Sequence, residues 1–203
     1  MNNHENNSSS YVDYDALQQY FVNELTHKVP TNRLLAICFF TGRKPAQLIR
    51  SGRLIKTDET YGHSEHTALW INQAAKYHAG YIKMLIPLLH SDLIIDQLNE
   101  LRVTLPENYY DNIRNHVHPV YRRTVCKMLP KHLQIHSLEL IRLIYAIKTY
   151  ELMYEEPATN MKLLETHINT VMRGSEIRRA ILDDLPNVKL YANEPNNQTY
   201  AII

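Results

Sequence analysis

The run Thr41-Gly42-Arg43-Lys44-Pro45-Ala46-Gln47-Leu48-Ile49-Arg50-Ser51-Gly52 constrains the fold of this chain more than any other stretch. Thr41-Gly42 ends an apolar helical run, because a glycine after the last helical residue adopts the left-handed conformation that other residues resist. Pro45 suits the first turn of a new helix, where its missing N–H is not needed, and Ser51-Gly52 stops that helix after about two turns. Arg43 is thereby held on a rigid corner between two helices. A guanidinium fixed in this way donates two parallel hydrogen bonds to phosphate oxygens, which a mobile surface arginine does less well. A plain helix–turn–helix with surface arginines has the same local pattern, so further residues must decide between the two.

The 203 residues suffice for one sizeable core and point to one domain. No run of roughly 18 apolar residues offers a membrane span. Cys38 and Cys126 lack metal-ligand spacing and read as reduced thiols in a cytoplasmic protein. The formal net charge of +1 hides an uneven distribution: residues 31–150 carry 16 Lys+Arg against 9 Asp+Glu, residues 1–30 carry 1 against 4, and residues 151–203 carry 5 against 8. A basic centre with acidic ends suits a face that binds a polyanion.

The Asn- and Ser-rich segment 1–10 has too little apolar content to offset the entropy of ordering and is expected to be a disordered tail. Residues 11–185 are expected to form the single domain and 186–203 an irregular C-terminal segment. Leu17, Tyr20, Phe21 and Leu25 mark an amphipathic helix, and Leu34, Leu35, Ile37, Cys38 and Phe39 mark a buried one with Thr31 as its N-cap. Residues 67–72 and 81–86 are rich in strand formers and read as a β-hairpin. Helices are expected again over 92–105, which Pro106 ends, over 109–128, over 137–154 with Ser137 as N-cap, and over 161–182. The fold class is therefore α+β, mainly helical, with a small antiparallel hairpin or sheet.

The Thr41–Gly52 run resembles the first-arginine segment of the tyrosine recombinases, and its spacing through Arg50, Ser51 and Gly52 is most similar to the hairpin telomere resolvases, or protelomerases. Gln73-Ala74-Ala75-Lys76 is similar to the lysine-bearing hairpin of those enzymes, and Ile86-Pro87-Leu88-Leu89 to the segment that follows it. Leu140-Ile141-Arg142-Leu143-Ile144-Tyr145-Ala146 resembles their second-arginine helix. The resemblance implies that Arg43 and Arg142 clamp a phosphate and that Lys76 protonates the leaving 5′ oxygen, with Lys83 and Lys56 as alternatives if the hairpin register differs. It further implies a histidine and a tyrosine nucleophile. Met172-Arg173-Gly174-Ser175 has Ser175 where the histidine would stand, which leaves His167 and Arg173 as candidates for that role. Tyr191 is the candidate nucleophile and Tyr200 the alternative. Glu139 stands where the wider superfamily has a histidine three positions before the second arginine; His136 is near but not at that spacing. Lys44, Arg50, Arg53 and Arg173 are candidate DNA-phosphate contacts.

These roles imply attack of a tyrosine oxygen on a DNA phosphate, giving a 3′-phosphotyrosine and a free 5′-hydroxyl, with no metal or nucleotide cofactor. The implied partner is double-stranded DNA, bound by a dimer or higher oligomer, with no membrane involvement. Hairpin formation and recombination use the same active residues and remain open. Two rival readings stay beside this one: a non-catalytic DNA-binding or regulatory descendant of the same fold, and a helical interaction protein. The sequence offers no Gly-rich nucleotide loop and no Gly-x-Ser-x-Gly elbow, and the pairs His63/His66 and His116/His118 have no convincing third ligand for a metal.

Overall fold

A computed structural model describes residues 11–57, 65–72, 81–86, 89–105, 109, 112–134, 138–155, 158, 160–171 and 189–191. Its elements are β1 (Tyr11–Asp13), α1 (Tyr14–Glu24), α2 (Pro30–Thr41), β2 (Gly52–Lys56), β3 (Thr67–Asn72), β4 (Tyr81–Leu85), α3 (Ser91–Thr104), α4 (Ile113–Arg123), α5 (Val125–Met128), α6 (Glu139–Tyr154), α7 (Met161–Val171) and β5 (Lys189–Tyr191). A mainly helical body carrying a small antiparallel sheet is the class the residue pattern indicates.

Helix α2 is the hub. Leu34, Leu35, Ala36, Ile37, Cys38, Phe39 and Phe40 are all buried, and the helix packs against α1, α3, α4 and α6. A helix that is apolar all round can only lie inside a protein, and this one is enclosed on every side. Helix α6 is the second buried rod, with Leu140, Ile141, Leu143, Ile144 and Ile147 in the core and α7 packed against it. Phe21 of α1 stacks on Phe39 of α2 at 4.3 Å between ring centroids, fixing the entry to the hub.

Several local expectations are corrected. Thr31 does not cap α2: Val29 occupies the N-cap with Pro30 inside the first turn, and the Thr31 hydroxyl instead pairs with the Tyr109 hydroxyl at 2.7 Å. Proline at the first helical position leaves one fewer N–H to satisfy there. At the start of α6 the N-cap is Leu138, without a side-chain cap bond; Ser137 lies outside the described residues. The helix expected over 109–128 breaks at Thr124, which caps α4 and whose hydroxyl donates to the Val120 carbonyl at 2.7 Å. Leu133 and its neighbours add one 3-10 turn over Lys131–Leu133.

The helix after Pro45 widens into a π-helical turn over Gln47–Ser51 and passes directly into strand β2, which the sequence pattern does not reveal. The hairpin β3–β4 is present as expected, and β2 completes it as a three-stranded antiparallel sheet in the order β2-β3-β4. Leu54 lies opposite Trp70, and Trp70 opposite Ile82. A second, parallel pair joins β1 to β5 with Asp13 opposite Tyr191, so residues 189–191 of the segment expected to be irregular form a strand. The expected tail 1–10 and the residues of the predicted 161–182 helix beyond Val171 lie outside the described residues.

Candidate functional site

Gly42 ends α2 in the left-handed conformation, with φ at 61°, and its N–H donates to the Cys38 carbonyl at 2.9 Å. This is the turn the Thr-Gly pair predicts, and it places Arg43 against the sheet. A side chain at residue 42 has no room: a β-carbon there would lie 2.4 Å from the Tyr145 ring. The Arg43 guanidinium sits over the Trp70 indole at 5.3 Å from the ring centroid, and Arg43 is 1% exposed. Cation–π contact of this kind holds a guanidinium flat and in place.

Arg142 comes from the first half of α6 and is also 1% exposed. Its Nε–H donates to the Gly42 carbonyl at 2.8 Å, so the peptide unit entering Arg43 is the same one that orients Arg142. Nη1 and Nη2 of Arg142 have no hydrogen-bond partner among the described residues. Burial lowers both guanidinium pKa values to about 10, with Glu139 pulling that of Arg142 back up and Arg43 pushing it further down. Both arginines therefore stay charged at neutral pH, and the charge of Arg43 bears on Arg142. A buried cation whose donors lack partners is costly unless an anion joins it.

A cleft of about 250 Å³ opens beside Arg142, walled by Lys44, Arg114, His118 and Glu139 together with apolar side chains of α4 and the Pro45 turn. Lys44 of the first-arginine segment lines the cleft. Arg114 and His118 enter from α4. Sequence reasoning missed both, because nothing local marks that helix as a neighbour of Arg142. Burial, then the charges of Arg122 and Arg114, hold the His118 pKa below its ordinary value.

Arg102 and Trp70 hold the corner in place, and both escaped the sequence reading. Arg102 of α3 reaches across to donate from Nε to the Leu48 carbonyl at 2.9 Å, and its Nη2 also donates to the carbonyls of Leu48 and Gly52. Gly52 lies so close to Trp70 that a β-carbon would stand 2.0 Å from the indole ring. The chain of contacts runs Arg102, Gly52, Trp70, Arg43.

The remaining candidates are distributed as follows. Arg50 and Arg53 are exposed on the π-helical turn and on β2. Lys56 is ion-paired with Asp92 at 2.5 Å on the exposed side of β2. Lys83 lies on β4 opposite Leu69. His167 is buried between α6 and α7, with Nε2 2.9 Å from the Thr149 hydroxyl and its ring edge-on to Tyr150 at 5.7 Å between centroids. Thr149 stands two helical turns beyond Arg142, about 10 Å along α6, so His167 belongs to the helix–helix packing and no described contact brings it to the arginine pair. Burial lowers its pKa to about 4, against a hydrogen bond with the Ala146 carbonyl. Tyr191 is placed by its backbone, on β5 opposite Asp13. Lys76, Arg173, His136, Ser175 and Tyr200 lie outside the described residues. Tyr145 and Tyr14 are buried, and burial raises their pKa values far above the ordinary tyrosine value. The described residues contain no cluster of three or more potential metal ligands and no helix long and apolar enough to cross a membrane.

No protein-family model matches the chain, and no curated protein matches it. Solved structures do. A complex of protelomerase TelA covalently joined to substrate DNA superimposes with a TM-score of 0.65 at 13% identity, over 90% of this chain and 60% of that one. Protelomerase TelK complexed with substrate DNA gives a TM-score of 0.61 at 14% identity, over 90% of this chain and 38% of that one. A TelA mutant bound to a DNA hairpin product gives 0.64 at 13% identity, over 90% and 59%. The chain thus spans about 60% or less of these proteins, and it shares with them the fold of that portion.

Proposed function

We propose that this chain is a DNA strand transferase of the telomere-resolvase kind. The observation that carries the proposal is the convergence of two arginines, each 1% exposed, at one peptide unit, with both terminal nitrogens of Arg142 left open in a fold shared with protelomerases. A scissile phosphodiester in the backbone of a DNA strand is the anion such a pair fits.

In this reading Arg43 and Arg142 hold the non-bridging oxygens and stabilise the charge that builds as the phosphorus becomes five-coordinate. Tyr191, or Tyr200 in its place, supplies the attacking oxygen; the bond from that oxygen to phosphorus forms as the bond to the 5′ oxygen breaks. Lys76 delivers the proton to the departing 5′ oxygen. The energy of the broken link is kept in the phosphotyrosine and returned when a 5′-hydroxyl attacks it. His167 supports this apparatus through the α6–α7 packing, and Lys44, Arg50, Arg53 and Arg173 bear on flanking phosphates. The hairpin product in a related complex favours rejoining of each strand to its complement.

The test is incubation with duplex DNA carrying a nick that traps the cleaved strand. Denaturing electrophoresis and mass spectrometry would show a protein–DNA adduct on Tyr191 or Tyr200, lost in Arg43→Ala. One observation supports a second reading: Glu139, an acid, stands in the arginine cleft. Tight, salt-sensitive DNA binding without any adduct would assign the chain to the non-catalytic binders.

A further inference from the structure

From Asn112 to Leu138 the chain contains no Asp or Glu, yet this stretch carries Arg114, Arg122, Arg123, Lys127 and Lys131. All five are exposed. Elsewhere among the described residues, Arg33 pairs with Glu100, Lys56 with Asp92 and Lys148 with Glu151. Helix α4 is anchored by Ile113, Val117, Val120 and Tyr121 on its buried side, so its outer face is a firm platform and not a mobile arm.

Arg114, His118 and Arg122 follow one another at intervals of four, which places them in one stripe along the helix. The stripe begins at the cleft, where Arg114 and His118 stand in the same wall as Arg142. Both arginines bear on His118 electrostatically, which agrees with a shared face. Lys127 is the exposed cation of α5, which follows α4 beyond the corner at Thr124. Arg123 bears instead on Tyr20 of α1 and is not part of the stripe.

We propose that this stripe of α4, extended by Lys127, is a binding track for the phosphate backbone of duplex DNA leading away from the arginine cleft. The spacing fits: eight residues of helix span about 12 Å, over which one strand, rising about 3.4 Å per nucleotide, presents three to four phosphates. The charge fits as well, since the segment that carries this row holds no acid of its own and Glu139 meets it only at the cleft. This inference rests on DNA being the ligand of the cleft, and it adds the surface that sets how the duplex lies across the protein. Contacts of this kind position DNA without reading its sequence.

The test is the salt dependence of binding to a labelled duplex, measured by fluorescence anisotropy between about 50 and 200 mM salt. The triple variant Arg114→Gln, Arg122→Gln, Lys127→Gln is expected to reduce the slope of log affinity against log salt by about 2.7, some 0.9 per lost phosphate contact. Arg122→Gln and Lys127→Gln, each alone and remote from the cleft wall, are each expected to reduce it by about 0.9. The exposed lysines Lys28 and Lys162, changed to Gln, are expected to leave it as it was. A steep wild-type slope that none of the α4–α5 variants lowers would overturn the track and leave the strand-transferase reading standing. A wild-type protein that does not bind duplex DNA in a salt-sensitive way would overturn both.

Discussion

The Nε–H of Arg142 donates to the Gly42 carbonyl at 2.8 Å, across 100 residues of sequence. One peptide plane therefore carries the α carbon of Arg43 on one side and orients Arg142 on the other. The Gly42 carbonyl holds the Arg142 guanidinium and the Trp70 ring holds that of Arg43, so each side chain is restrained by a contact of its own. Holding both ligands in advance of the phosphate removes entropy that would otherwise be lost on binding.

Arg142→Lys should keep the fold and lose the chemistry. A lysine retains the charge but cannot both bond Gly42 and present a planar fork to phosphate. Adduct formation on nicked DNA should fall by roughly 10²–10³-fold, the usual loss for one transition-state donor, while the melting temperature stays close to wild type. A variant as active as wild type would remove Arg142 from the clamp.

Trp70 should matter to Arg43 in a graded way. Trp70→Phe keeps an aromatic face, whereas Trp70→Leu removes it; an exposed to desolvated cation–π contact is worth about 0.5–2 kcal/mol, or roughly 2- to 30-fold in rate. The loss should appear in the single-turnover cleavage rate more than in DNA affinity. Equal rates for Phe and Leu variants would show that the indole acts only as core.

Gly42→Ala combines a strained φ with a clash against Tyr145. Left-handed backbone costs a non-glycine residue about 1–2 kcal/mol, and overpacking commonly adds about 1–3. A loss of about 3 kcal/mol, roughly 6–12 °C in melting temperature for a chain of this size, is expected in thermal unfolding followed by circular dichroism. A shift below a degree would mean that the turn relaxes freely.

His167 makes the fold acid-sensitive. Buried as the neutral ring, it takes up a proton only near pH 4, whereas in the unfolded chain it does so near the ordinary value of about 6.5. Its folded pKa is depressed, so stability is full above about 6.5, is lost as pH falls towards 4, and changes no further from this residue below that. Urea midpoints at pH 7, 5.5 and 4.5 should fall steadily in wild type and less steeply in His167→Gln. Identical slopes would show that other groups govern the acid limb.

The arginine corner was legible in the sequence because its cause is local. Thr41-Gly42 ends a helix, Pro45 opens the next, and each acts through its own φ preference without help from distant residues. Arg142 was legible for a related reason: a charge between Ile141 and Leu143 on an apolar helix stands out as needing a partner. Strand β2 was not legible, since its residues pair only because β3 lies alongside, and the π-helical turn before it is held by Arg102 from another helix. Trp70, Arg114 and His118 carry no local mark of their place near the arginines. His167 shows the opposite case. Its residue type suited a proton-transfer role, but packing between α6 and α7 engages it with Thr149.

By itself, the sequence determined where most of the helices lie, that α2 is a buried rod, and that its glycine end turns the chain into Arg43. Those outcomes follow from backbone preference and from the period of apolar residues, which act over a few positions. Only the tertiary structure decided that Arg142 bonds the peptide before Arg43, that Trp70 lies beneath that arginine, and that α4 lends Arg114 and His118 to the same cleft. Such contacts join residues far apart in the chain, and their geometry is set by how buried surfaces interlock, which no short stretch of sequence specifies.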